Sequence, residues 1–95
     1  MNKNAQEAYM ILNQMLQELG ETDAPLKEIF VRAQKELKFE NKAVPVLIQK
    51  VHNSVSSCLL ENKLVLSKKN RLLLAELMQL ATKNGYKVGG PGSII

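Results

Sequence analysis

Tryptophan is absent from the 95 residues, histidine and cysteine occur once each, and only two tyrosines and two phenylalanines are present. A lone cysteine, Cys58, excludes an internal disulfide, and a reducing compartment is the natural setting for such a chain. A lone histidine, His52, excludes metal sites built on paired histidines and any catalytic pair of them. The densest apolar stretches, VPVLI and LLLA, fall far short of the ~18 residues that suggest a membrane span. The opening MNKNAQEAYMILNQM has polar residues interrupting its apolar ones, which is unlike a secretory signal. Together these features lead to the expectation of a soluble cytoplasmic protein, partly associated at most with the inner face of the membrane. A chain this short supports one small core and leaves little room for a large enclosed active site.

What is abundant is Leu, Ala, Met, Lys, Glu and Gln, all strong helix formers. Ala5, Ala8, Leu12, Met15, Leu16 and Leu19 recur at three- and four-residue intervals and predict a first amphipathic helix, with Gly20 as the left-handed residue that ends it. Asp23 is the expected N-cap of a second helix, with Pro25 in its first turn and Leu26, Ile29, Phe30, Ala33 and Leu37 on its apolar face. The second helix is expected to end near Phe39. Pro45 disfavours helical backbone at Val44 and is expected to open the third helix, whose stripe is Leu47, Ile48, Val51, Val55, Cys58 and Leu59. Its β-branched residues make it dependent on packing rather than on intrinsic propensity. The segment ENKLVLS reads as an extended crossing pinned by Leu64 and Leu66, and Ser67 as the N-cap of a fourth helix carrying Leu73, Leu74, Leu77, Met78, Leu80 and Ala81. The fold class expected is all-α, an antiparallel four-helix bundle over residues 1–87 followed by a flexible Gly-rich tail over 88–95.

Charge is unevenly placed within the net +4. Residues 1–23 carry one basic group against four acidic ones, whereas residues 46–95 carry seven basic groups against two acidic. The basic half favours anionic partners such as nucleic acid, lipid headgroups or acidic protein faces, although a solvated face is the simpler reading. Lys63, Lys68, Lys69, Arg71, Lys83 and Lys87 form the basic set, clustered around the start of the fourth helix and beyond its end. Few aromatics accompany them for stacking on bases, and the fourth helix is too apolar for a recognition helix, so a small nucleic-acid-binding module is the second reading. A lone His on a bundle can carry a phosphoryl group, but no base, orienting carboxylate or phosphate cradle is evident near His52. Cys58 falls on the core stripe, where a buried thiol is the expectation. Glu36 and Glu40 each lie near a lysine, as on a solvated helix face. No catalytic, cofactor-binding or metal-ligating set emerges.

The run from Val44 to Tyr86 carries VP at the start of the third helix, NKLVLS from Asn62 to Ser67 before the fourth, the leucine-rich LLLAELMQL, and a Gly-Tyr close behind it. In this order and spacing it resembles the immunity proteins of pediocin-like, class IIa bacteriocins. That resemblance implies a cytoplasmic four-helix bundle without catalysis or cofactor. It implies protection of the producing cell by recognition of the bacteriocin-bound membrane component of the mannose phosphotransferase permease. A monomer is expected, with peripheral contact to the membrane surface allowed and no nucleic-acid partner. It also places recognition in the C-terminal half, so that Lys68, Lys69, Arg71, Lys83, Tyr86 and Lys87 are the candidate partner-recognition residues. Many members of that family finish soon after their tyrosine, whereas here Tyr86 is followed by KVGGPGSII. Asn84 and Gly85 read as the cap of the fourth helix, with Tyr86 either packed back near Leu80 or Ala81, or used directly in recognition.

Overall fold

A computed structural model describes residues 3–39 and 43–83, and among these there are four α-helices and no strand. They are α1 (Lys3–Gln17), α2 (Ala24–Phe39), α3 (Val44–Asn62) and α4 (Lys68–Lys83), with a single 3₁₀ turn, Glu21–Asp23, between the first two. Each helix packs against the next through a short link, and α4 returns to α1, closing an antiparallel four-helix bundle. α1 also touches α3 across the diagonal.

The apolar stripes face one core. Ala5, Ala8, Leu12 and Met15 of α1 meet Leu26, Phe30, Ala33 and Leu37 of α2 and Leu73, Leu77, Leu80 and Ala81 of α4. α3, whose β-branched content weakens it in isolation, is the longest helix at 19 residues. It buries Val44, Leu47, Ile48, Val51, Val55 and Cys58, so packing holds it in the way its composition demands. The link to α4 is shorter than expected, since Glu61 and Asn62 still belong to α3; within it Leu66 is buried and Leu64 half-buried, so the crossing is pinned by these two residues as expected.

Three local expectations are corrected. Gly20 is extended, at φ −97° and ψ −176°, and not left-handed. α1 closes through short-range bonds from the Glu18 N–H to the Met15 carbonyl and from the Leu19 N–H to the Leu16 carbonyl, both 3.2 Å, which tighten the last turn without a positive φ. Asp23 does not cap α2 from outside: it ends the 3₁₀ turn, and its carboxylate reaches back to accept the Gly20 N–H at 2.8 Å. Pro45 is the second residue of α3, and Val44 before it is helical and 8% exposed. Burial of that valine outweighs the steric preference of a residue preceding proline. Asn84, Gly85 and the 88–95 tail lie outside the described residues.

Two expectations about helix ends hold. The Ser67 hydroxyl accepts the Asn70 N–H at 3.1 Å, capping α4. Pro25 sits in the first turn of α2. The left-handed residue that the α1–α2 link lacks occurs instead at Lys63 (φ 54°), where it ends α3 and lets the Leu64 N–H reach the Leu59 carbonyl at 3.0 Å.

Candidate functional site

The basic residues singled out in the C-terminal half lie at two places along α4. Lys68 and Lys69 are the first two residues of α4 and Arg71 its fourth, while Lys83 is its last. At 1.5 Å per residue the two groups stand roughly 22 Å apart along the helix. They are thus divided between its two ends, as their positions in the sequence already place them. Tyr86 and Lys87 lie outside the described residues.

The N-terminal group sits at the corner where α3 hands over to α4. Lys69 is held by Glu18 of α1, with an Nζ–carboxylate separation of 3.3 Å. Lys63, Lys68 and Arg71 are exposed and form no ion pair among the described residues. The first turn of α4 contains no acidic residue. Helix N-termini carry partial positive charge, so acidic groups there stabilise and basic ones oppose the fold by a few tenths of a kcal/mol each, up to about 1. Local stability does not explain this choice of residues, which concentrates positive potential at the corner.

The same corner exposes apolar side chains that stripe analysis passes over. Leu60 in the last turn of α3 is 81% exposed, Val65 in the link 83%, and Leu72 in α4 59%. Leu66, between the last two, is only 7% exposed. The signal for Leu60 and Leu72 was present in the spacing, since each falls off the buried stripe of its helix.

Beneath the corner lies Asn70, 1% exposed, whose Nδ2 donates to the Met15 carbonyl of α1 at 3.2 Å. Its Oδ1 is buried without a hydrogen-bond partner. Set in the polar run KKNR, Asn70 does not look like a core residue, yet its spacing of three to Leu73 and seven to Leu77 puts it on the buried stripe. Gln34 plays a similar part between α2 and α1, donating to the Tyr9 carbonyl at 3.2 Å, while the Lys38 ammonium lies 5.5 Å from the Tyr9 ring.

The remaining residues considered from sequence are placed elsewhere. His52 is half-buried on α3, and its Nδ1 is buried without a hydrogen-bond partner, so no carboxylate orients that nitrogen. Cys58 is a buried free thiol, and Asn62 donates to its carbonyl at 3.0 Å. Glu36 pairs with Lys50 of α3 at 3.4 Å, and Glu40 lies outside the described residues. An open groove of about 470 Å³ runs between α2 and α3, lined by residues of mixed charge including Glu28, Arg32 and Glu61. Among the described residues no group of three or more His, Cys, Asp or Glu side chains is placed to hold a metal ion, and no helix is long and apolar enough to cross a membrane.

Comparison of the chain with family models, with curated proteins and with solved structures finds no match in any of the three.

Proposed function

We propose that the chain is an immunity protein against a pediocin-like bacteriocin, recognising the bacteriocin-engaged membrane component of the mannose phosphotransferase permease from the cytoplasmic side and preventing lethal leakage. The observation that supports this reading is where the resembling motifs fall in the fold. VP occupies the first two positions of α3, and NKLVLS runs through the left-handed turn at Lys63 to the capping Ser67. They are thus the helix start and the corner of a four-helix bundle, the architecture that the resemblance implies. In this reading protection is a binding activity, with recognition assigned to the C-terminal half and to Lys83, Tyr86 and Lys87 first.

The test is expression in a sensitive lactic acid bacterium followed by challenge with a panel of pediocin-like peptides. The expected result is a raised inhibitory concentration for at least one peptide, weakened by charge reversal at Lys83 and Lys87 with helicity unchanged. Unaltered sensitivity to every peptide, with the protein confirmed folded in the cells, overturns the proposal.

A further inference from the structure

Of the six large apolar side chains that stand exposed among the described residues, three, Leu60, Val65 and Leu72, fall within the one segment that forms the α3–α4 corner. Single exposed apolar residues are ordinary on a protein surface; their grouping with unpaired cations is less so. Interleaved with them are Lys63, Lys68 and Arg71, all exposed and without an ion pair among the described residues. Of the nearby acids, Glu18 is engaged by Lys69, Glu61 lines the groove on the α2 side of α3, and Glu21 and Asp23 belong to the α1–α2 link. The positive end of the α4 dipole adds to the same sign.

We infer that the α3–α4 corner is a docking surface for an anionic lipid membrane, with Val65 and Leu60 entering the headgroup boundary and Lys63, Lys68 and Arg71 meeting the lipid phosphates. The chemistry is that of a peripheral membrane contact, in which a small apolar insertion and a few basic groups act together and neither suffices alone. Charge also sets the orientation. Besides the paired Glu18, the neighbouring α1–α2 corner carries Glu21 and Asp23 and is repelled by an anionic surface, so the α3–α4 corner approaches first. This inference does not depend on the immunity reading.

The test is sedimentation of the full chain with protein-free vesicles of phosphatidylcholine alone or of phosphatidylcholine and phosphatidylglycerol in equal parts, across a salt series. Binding is expected only to the anionic vesicles and should weaken as salt rises. Val65→Asp and the pair Lys63→Glu/Lys68→Glu should each lower the partition coefficient at least about tenfold, whereas Lys35→Glu, on the exposed face of α2, should leave it within about twofold. All of these positions are exposed, and circular dichroism verifies that each variant keeps its helicity. Absence of binding to anionic vesicles at low salt overturns the inference, as does equal loss in Val65→Asp and Lys35→Glu. So does binding to cell membranes without binding to protein-free vesicles, which would identify a protein partner. Vesicle binding without protection against any peptide leaves this surface standing and removes the immunity reading; protection without vesicle binding does the reverse.

Discussion

Two corners share one end of the bundle and are built in opposite ways. The α1–α2 corner is acidic, closes through the Asp23 carboxylate on the Gly20 N–H, and exposes no large apolar side chain. The α3–α4 corner is basic, closes through the left-handed Lys63 and the Ser67 cap, and exposes Leu60, Val65 and Leu72. Even glycine is distributed against expectation. It sits at Gly20, where φ is −97° and a Cβ would meet nothing closer than the Asp23 carboxylate at 3.7 Å, and it is missing at Lys63, where φ is 54°. A corner optimised for stability would place its residues the other way round. The first corner thus reads as a closure, and the second fits the docking surface inferred above.

Substitutions put this contrast to the test. The largest effect is expected inside the α3–α4 link, where adjacent residues have opposite surroundings. Leu66→Ala removes a side chain buried against the core and should destabilise by about 2–3 kcal/mol in urea unfolding, whereas Val65→Ala should stay within about 0.5 kcal/mol. Comparable losses would mean that Val65 is packed, and its assignment as a surface residue would fall. The caps come next. Ser67→Ala should lower stability by about 1 kcal/mol through the lost bond to the Asn70 N–H, and Asp23→Ala, whose bond is exposed, by roughly half that. If Asp23→Ala proves the more damaging, the acidic corner is the one under greater structural demand. The smallest effects should be gains. Gly20→Ala and Lys63→Gly are each expected to raise the free energy of urea unfolding by about 0.5–1 kcal/mol, the first by restricting the unfolded chain and the second by relieving a left-handed lysine. A destabilised Lys63→Gly would show that the lysine stem contributes packing that outweighs its backbone strain.

The helices and most of the core were legible because burial obeys period 3.6 and the stripes are clean: Leu12, Phe30, Val51 and Leu77 could be placed by spacing alone. The turns were legible where a side chain acts on its own neighbourhood, as Ser67 does. They were not where two local solutions compete. Gly20 permits a left-handed stop, but the short-range bonds at the end of α1 make one unnecessary, and nothing in the letters around Gly20 distinguishes the two. Asn70 was hidden by its neighbours, since a polar residue among lysines looks exposed until α1 is brought against it. The division of the basic residues between the start of the fourth helix and its end was legible in the sequence, and a continuous helix from Lys68 to Lys83 sets the distance between them.

That separation makes α4 a spacer as well as a packing element. Contacts made at its two ends would be covalently joined at an interval of roughly 22 Å, and would combine as the two arms of a bivalent ligand. Where a target presents matching sites at that interval, the second contact forms at high effective concentration, and weak individual affinities multiply. Where the interval is wrong, only one arm engages and the advantage is lost. Discrimination between similar targets can then reside in distance, without any change in the residues that touch them.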